Sequence, residues 1–335
     1  MGAARLSVQF AGPLVTIQDG GRVGNLRYGV TASGPMDRTS FAAANAALGN
    51  PTDQTCIEIS LGGLVVECKE GAVSLAIAGG DFIIDHGGAK TSGWTVLTLQ
   101  PGEKLAIRGG ASGSWAYLAL AGGLVATEWL GHTATLSTSG FGGGALQAGQ
   151  ELVVENAEQR LEREGAIALP QFDDDRSTFR VVMGPQDGWF PSAAITAFLE
   201  ETFQVTDSYD RMGMRLAGPV LSPDGALSIP SEPIIRGSVQ VSGEGVATVL
   251  LADHQTTGGY PKIATVISAD LDRLTQRRSR EDIRFEAITP SEAVTLVRAR
   301  HTALRDYLST IAEPRGSLAQ RLMSQNLITV AAEEN

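Results

Sequence analysis

The chain has 335 residues, of which 43% are hydrophobic and 19% charged, a composition typical of a globular protein long enough for two domains with separate cores. Its formal net charge of −11 at pH 7 makes nucleic acid a poor partner, because no basic stripe is present to neutralise phosphates. No apolar run reaches membrane-spanning length and the first residues lack a signal-peptide core, so we expect a cytoplasmic protein that does not enter a membrane.

Cysteine and histidine usage gives no sign of a disulfide or a metal. Cys56 and Cys68 lie in apolar, strand-like segments without C-x-x-C spacing, which is typical of core residues in a reducing compartment. The histidines at 86, 132, 254 and 301 are far apart and share no ligand spacing, so we expect no structural metal.

Strand-like apolar runs, separated mostly by glycine or Pro-Gly, fill the first half of the chain. These runs are Leu14–Ile17, Cys56–Ser60, Leu64–Cys68, Val73–Ala78, Trp94–Leu99, Lys104–Arg108 and Trp115–Leu120. One helix is predicted from Met36 to Leu48, with Pro35 at a favoured first-turn position and Gly49 as the stop. Many short strands at turn-rich spacing favour a barrel or sandwich over a doubly wound sheet.

A charged segment over 156–177, acidic at Asp173–Asp175, is interpreted as a linker between domains at 1–155 and 178–312. The second half is predicted to contain strands Phe179–Met183, Ala226–Ile229, Val239–Val241 and Val246–Ala252, and a helix from Pro191 to Thr202. Thr289–Glu292 reads Thr-Pro-Ser-Glu, a capping box that begins a helix to about Leu308. A tail at 313–335 follows.

The segment Asp253–Lys262 groups acceptors, donors and one cation at the end of a predicted buried strand. Gly258 and Gly259 allow a sharp turn or a close approach to a ligand. One interpretation is a strand connection whose polar side chains bond their own backbone. The other places Lys262, one of only four lysines, in a cleft facing an anion or a polarised carbonyl.

A second polar cluster lies between Gln18 and Arg38 and is rich in glycine. Backbone N–H groups near the helix start can hold an anion, and Arg22 can bind a carboxylate or phosphate. Alternatively, Asp19 and Arg22 only stabilise a turn and Asp37 only stabilises the first helical turn. Glu58 can reach the same cleft or serve as the structural partner of an arginine.

The two halves share a weak internal similarity. Gly21–Arg27 and Asp210–Arg215 both place Arg-x-Gly ahead of another arginine, and a Gly-Pro pair follows each. This spacing predicts duplicated domains in which Arg22 and Arg211 occupy equivalent places. The chain has no P-loop, no dinucleotide fingerprint and no nucleophile elbow.

Four of these segments together resemble the biotin-dependent carboxyltransferase family, also called the allophanate hydrolase subunit 2 family. They are Gln18–Arg22, Ser33–Asp37, Asp210–Leu216 and Gln255–Lys262. The resemblance runs in order from about Leu6 to Arg300 and implies a mainly β fold of two cyclophilin-like β-barrel domains with a few helices. His254 departs from the residue type that the resemblance implies there, which leaves fine specificity open.

The family includes the C subunit of bacterial 5-oxoprolinase, so the resemblance implies one component of an ATP-dependent complex that opens the lactam of 5-oxoproline to L-glutamate. The implied partners are a B-type or allophanate hydrolase subunit 1-like protein and a protein like the A subunit of 5-oxoprolinase, with ATP used together with the partner. Two alternatives remain. One is a carboxyltransferase for a urea-like or amide acceptor, with carboxybiotin carried on another chain. The other is a non-catalytic regulatory binding protein.

The same resemblance suggests roles for individual residues. Arg22, Arg211 and Lys262 would balance developing charge, and Asp37 or Asp253 would orient the substrate or accept a proton. The residues expected to contact substrate are Arg211, Gln255, Thr256, Thr257, Gly258, Gly259, Tyr260, Asn45, Glu58 and Asp19.

Overall fold

The computed structural model describes residues 2–172, 177–224 and 229–316. Within these ranges the chain is mostly β-structure with four α-helices, which confirms the predicted mainly β fold with a few helices. None of the described helices is long and apolar enough to cross a membrane.

The first half folds into two antiparallel sheets, which we call the N-terminal unit. Its strands are β1 Gly2–Ala11, β2 Thr16–Gln18, β3 Cys56–Ser60, β4 Leu64–Glu70, β5 Val73–Gly79, β6 Phe82–His86, β7 Ala89–Ser92, β8 Thr95–Leu99, β9 Lys104–Gly109, β10 Trp115–Leu120, β11 Gly123–Leu124, β12 Glu151–Ala157 and β13 Gly165–Ala166. The sheet orders are β11-β12-β1-β4-β9-β6-β7 and β13-β8-β5-β10-β3-β2. Helix α1, Arg38–Leu48, connects β2 to β3.

Alternation along β5 shows how the second sheet is buried on both faces. Leu75 and Ile77 belong to the apolar core shared with the other sheet, whereas Ala76 and Ala78 belong to the cluster that includes α1. Successive side chains of a strand point to opposite faces, so one strand serves both layers. The small alanines allow α1 to pack closely on β5 and β10.

The second half forms a closed seven-stranded barrel, which we call the C-terminal unit. Its strands are β14 Thr178–Met183, β15 Phe203–Tyr209, β16 Gly213–Ala217, β17 Glu232–Pro233, β18 Ser238–Val241, β19 Ala247–Leu250, β20 Thr257–Gly258, β21 Lys262–Val266 and β22 Asp282–Ala287. The barrel order is β14-β21-β18-β19-β16-β15-β22, and β17 pairs with β20 outside it. Its helices are α2 Ser192–Glu200, α3 Ser268–Thr275 and α4 Pro290–Ala312.

The two units share one apolar cluster. It runs from α1 and the outer face of the second sheet into the barrel, where Phe179 and Phe198 are fully buried. Helix α4 returns from the barrel to pack against α1. The predicted pair of β-barrel domains thus corresponds to the two-sheet N-terminal unit and the closed barrel.

Local signals set the ends of two helices. Asp37 caps α1 by accepting from the backbone N of Ser40 at 3.0 Å, and Gly49 ends the helix in a left-handed conformation with φ of 77°. Pro35 therefore lies before the cap, and its predicted first-turn position is wrong. The predicted capping box of Thr289 and Glu292 is confirmed, and its helix continues to Ala312.

The prediction missed several strands. Strand β1 has a clear alternation, with Ala4, Leu6 and Val8 buried between more exposed residues, which a period-of-two search detects. Strands β6 and β7 form a hairpin around Gly87 and Gly88, both with positive φ.

Three predicted features fall partly outside the described residues. The predicted strand Ala226–Ile229 lies outside the described residues except for Ile229. Asp173–Asp175 and most of the tail also lie outside them. The described part of the predicted linker is ordered, since its first residues end β12 and Gly165–Ala166 pairs with β8.

Candidate active site

The candidate site lies where the two units meet, around the buried guanidinium of Arg211. This residue lies in the turn between β15 and β16 and donates from Nε and Nη2 to the two carboxylate oxygens of Asp253, each at 2.9 Å. Nη1 donates to Glu58 of β3, and Nη2 also reaches the carbonyl of Gly34 at 2.8 Å. The bidentate pair with Asp253 lies within the C-terminal unit, and the bonds to Glu58 and Gly34 join the barrel to the N-terminal unit.

Burial makes this ion cluster energetically important. The side chains of Arg211, Glu58 and Asp253 are at most 1% exposed. Burial on its own would lower the pKa of Arg211, but Glu58 and Asp253 raise it above its ordinary value. Burial would likewise raise the pKa of Asp253, and Arg211 outweighs this so that the pKa is lowered. Arg211 and Asp253 are therefore charged, and their attraction offsets their loss of hydration.

A hydrogen-bond chain continues from Glu58 to the start of α1. Glu58 Oε2 accepts from the backbone N of Met36 and from the hydroxyl of Tyr117, each at 2.8 Å. The same hydroxyl accepts from the backbone N of Asp37 at 2.7 Å. Glu58 is thus both the predicted arginine partner and an anchor for the loop before α1.

Asp37 has a structural role that limits the predicted catalytic one. Its carboxylate accepts from the backbone and hydroxyl of Ser40 and from Gln276 Nε2, the last at 2.7 Å. Gln276 follows α3, so this bond also connects the two units. Burial, and then the neighbouring charge of Asp272, raise the pKa of Asp37 to about 7 despite these hydrogen bonds.

This pKa predicts a pH dependence of stability. Folding favours the protonated carboxyl of Asp37, so its stabilising contribution is present below the ordinary pKa of 3.8 and is lost as the pH rises through about 7. We expect Asp37→Asn, which keeps a capping side chain, to gain stability relative to wild type over this window by at most about 1.4 kcal/mol per pH unit. Urea unfolding from pH 4 to 8 measures the difference. If the free energies of unfolding of the two proteins changed in parallel with pH, the prediction would be contradicted. Asp53→Asn, at an exposed position, serves as the control.

Arg22 is the second buried arginine near this cluster, and its hydrogen bonding is incomplete. Its side chain is inaccessible to solvent and Nη2 donates to the carbonyl of Ala134. Nε and Nη1 have no partner among the described residues. The guanidinium lies 4.9 Å from the ring centre of Trp129. Burial lowers the pKa of Arg22, although the charges of Asp19 and Asp253 act in the opposite direction.

Asp19 stabilises the loop rather than pairing with Arg22. Its Oδ1 accepts from the backbone N of Gly21 and its Oδ2 from that of Thr133, each at 2.8 Å. His132 Nδ1 lies 3.3 Å from Oδ2. The predicted turn-stabilising role of Asp19 is therefore seen, whereas a direct ion pair with Arg22 is not among the described contacts.

The two Arg-x-Gly segments meet but lie on different kinds of element. Arg22 follows β2 in a loop that leads to α1, whereas Arg211 is in the tight turn of a β-hairpin. Their charges are close enough for Arg211 to lower the pKa of Arg22. The prediction that Arg22 and Arg211 occupy equivalent places is therefore wrong, although the fold brings their charges close together.

Lys262 lies apart from these groups. It begins β21 and is 3% exposed, with Nζ 3.4 Å from Glu232 Oε2. Its backbone N donates to Gln186 Oε1 at 2.9 Å. The described contacts of Lys262 do not include Arg22, Arg211 or Asp253, so its catalytic role stays a prediction.

The remaining predicted contact residues divide into surface and core. Gln255, Thr257 and Tyr260 are exposed, and their contact with substrate stays a prediction. Gly258 packs closely, since a Cβ there would lie 2.4 Å from the end of the Ile234 side chain, which would have to shift. Asn45 is buried within the N-terminal unit, where it bonds the carbonyl of Gln54 at 2.8 Å, and its predicted reach to the cleft is wrong.

Sequence reasoning missed two residues that organise the site. Tyr117 connects Glu58 to the start of α1, and Arg236 donates to the carbonyls of Pro35 and Met36. Tyr117 lies in a uniformly buried strand and nothing local distinguishes it from a core residue. Arg236 lies just before Gly237, and a lone arginine there carries no motif.

A family comparison identifies the class of protein. Residues 28–287 match the model of the carboxyltransferase domain, subdomain A and B. The chain therefore belongs to this carboxyltransferase family, as the sequence motifs predicted.

Individual relatives support the same assignment. The chain is 32% identical over 294 residues to the C subunit of 5-oxoprolinase from Escherichia coli K12, covering 86% of this chain and 93% of that protein. It is 27% identical over 326 residues to the urea amidolyase of Saccharomyces cerevisiae, covering 90% of this chain and 17% of that much longer protein.

Solved structures show the same fold. The crystal structure of TTHA0988 superposes with a TM-score of 0.75 at 31% identity, covering 84% of this chain. This chain spans 55% of that longer one. The urea amidolyase of Kluyveromyces lactis superposes with a TM-score of 0.80 at 23% identity, covering 92% of this chain and 20% of the enzyme.

Proposed function

We propose that this chain is the C-type component of an ATP-dependent 5-oxoprolinase, which opens the lactam of 5-oxoproline to L-glutamate together with partner proteins. The match to a 5-oxoprolinase C subunit over nearly the whole length of both chains supports this choice. A relative of the same name from Haemophilus influenzae is also 32% identical and matches over 91% of its length.

The observation that carries the proposal is the state of Arg22. Its guanidinium is buried with two nitrogens that lack acceptors in the described part of the chain, and an unsatisfied buried donor is costly. A carboxylate ligand would satisfy it through charge-assisted bonds. The substrate 5-oxoproline carries one carboxylate at neutral pH, so its charge matches this arginine, and it would reach the guanidinium only when the loop around Arg22 opens.

The positive charges near Arg22 suit the activation of the lactam carbonyl. A lactam is resonance-stabilised, so its carbonyl needs activation, and ATP supplies this by phosphorylating the carbonyl oxygen. Cations near the site would stabilise the negative charge that develops. In this proposal ATP binds together with the partner protein, and the described residues of this chain position the substrate.

A second candidate is a carboxyltransferase that moves CO₂ from carboxybiotin, carried on another chain, to a urea-like or amide acceptor. The family model and the resemblance to urea amidolyase over 90% of this chain favour it. Arg22 would then bind the carboxylate of the carboxylated ring. A regulatory protein that only sequesters its partner is the third possibility, and it predicts neither activity.

Reconstitution separates these functions. We expect the purified chain to have little activity alone, and its complex with A-type and B-type partner proteins to hydrolyse ATP in a 5-oxoproline-dependent way with release of glutamate. Carboxylation of urea in the presence of a biotin carboxylase, without turnover of 5-oxoproline, would favour the second candidate. Robust turnover by the isolated chain would overturn its dependence on partners.

A further inference from the structure

The oxygens of all three carboxylates of the candidate site are engaged in hydrogen bonds within the fold, including those of Asp37, whose pKa is raised to about 7. Asp253, Glu58 and Asp37 each accept hydrogen bonds at both carboxylate oxygens. Asp253 and Glu58 also bind the guanidinium of Arg211, which lowers the pKa of Asp253 and weakens it as a base. Opening a lactam requires proton transfers, and a group beside these carboxylates with a free lone pair is better placed to perform them than oxygens that are already hydrogen-bonded.

His254 directly follows Asp253, just beyond the end of β19, and is 5% exposed. Its Nδ1 lies 2.6 Å from the carbonyl oxygen of Gln255. A carbonyl oxygen can only accept a hydrogen bond, so Nδ1 carries the hydrogen and Nε2 carries the lone pair when the ring is neutral. The backbone thereby sets both the tautomer and the orientation of the ring.

The lone pair on Nε2 is available. Nε2 makes no hydrogen bond among the described residues. It is also absent from the fully buried polar atoms that lack a partner, so it is not closed off from its surroundings. Burial, the largest influence, and the charge of Arg236 lower the pKa of His254 below its ordinary value, against a smaller opposite effect of Asp253. The imidazole is therefore neutral at pH 7 and able to take up a proton.

We propose that His254 is the proton-transfer residue of the site, and this proposal rests on the function proposed above. Water attacks the activated ring carbonyl carbon, and as the new C–O bond forms one water proton passes to Nε2. When the ring C–N bond breaks, the same proton passes from Nε2 to the leaving nitrogen, and the hydroxyl proton of the new C–O group passes to solvent, which leaves glutamyl phosphate. A second water then releases the phosphate and gives glutamate. His254 returns to its neutral form, and the nitrogen leaves as an amine rather than as an unstable anion.

Two substitutions separate this role from a structural one. His254→Asn places an amide N–H near the position of Nδ1, so it keeps a donor for the Gln255 carbonyl and removes the base. His254→Gln places an amide near Nε2 that cannot be protonated at neutral pH. His86→Asn is the control, because His86 lies on β6 and bonds Glu103, away from the site.

In the reconstituted complex we expect kcat for 5-oxoproline-dependent ATP hydrolysis to fall about 10²–10⁴-fold in both His254 variants, with little change in KM or melting temperature. The acidic limb of the wild-type pH profile should disappear in the variants, which loss of a structural contact would not cause. His86→Asn should behave as wild type.

The outcomes distinguish the two proposals. Wild-type turnover together with near-normal kcat and an unchanged acidic limb in either folded variant overturns the role of His254 and leaves the proposed function standing. An assembled wild-type complex without 5-oxoproline-dependent turnover overturns the proposed function, and this assignment of His254 with it.

Discussion

Replacing Arg211 with methionine is expected to lower the free energy of unfolding by about 3–5 kcal/mol, because removing one member of a buried ion cluster leaves uncompensated charge. Glu58 and Asp253 would both remain buried without their cation. The loss should be visible in urea unfolding at pH 7. It should shrink at low pH, where both carboxylates can become protonated in the variant.

Arg215→Met is a matched control for this experiment. Arg215 lies on the same hairpin, its side chain is 51% exposed, and its nearest acid is Glu244 at 3.8 Å. We expect a change within about 0.5 kcal/mol, since exposed ion pairs contribute little. If Arg211→Met proved as stable as Arg215→Met, the ion cluster would not be what holds the two units together.

Replacing Arg22 with methionine is expected to lower activity without lowering stability, the reverse of what we expect for a purely structural residue. Two nitrogens of this buried side chain have no described partner, so an apolar replacement should leave stability unchanged or slightly higher. Activity of the assembled complex should fall about 10–10²-fold, because a charge-assisted bond to the substrate carboxylate contributes about 1.5–3 kcal/mol. The loss should be mainly in kcat/KM and should be smaller for a substrate analogue without the carboxylate.

Arg27→Met tests whether any charge change in this loop has the same effect. The guanidinium of Arg27 lies over the ring of Tyr28, 4.7 Å from its centre, and both residues are exposed. We expect wild-type kcat/KM from this variant. A full-activity Arg22→Met complex, or one that is inactive because it unfolds, would show that Arg22 does not bind substrate.

The sequence alone determined the features that depend on neighbouring residues. Strands β3 and β10 have the predicted bounds because apolar runs end at turn residues within a few positions. The Thr289 cap and the Gly49 stop were predictable because each is made by atoms within four residues. The motif around Asp253–Lys262 likewise pointed to the family.

Only the tertiary structure decided which polar residues meet. Arg211 lies 153 positions from Glu58 and 42 from Asp253, and no local pattern encodes a contact made by seating a barrel on a two-sheet unit. The same docking gives the Asp37 carboxylate a bond to Gln276, 239 positions away, and leaves two nitrogens of Arg22 without a described partner.

Lys262, singled out by its rarity, instead pairs with Glu232 because β21 places it beside the β17–β20 ladder. Residue types in a sequence show which charges are available, but burial and distance, which set how strongly those charges interact, exist only in the folded chain.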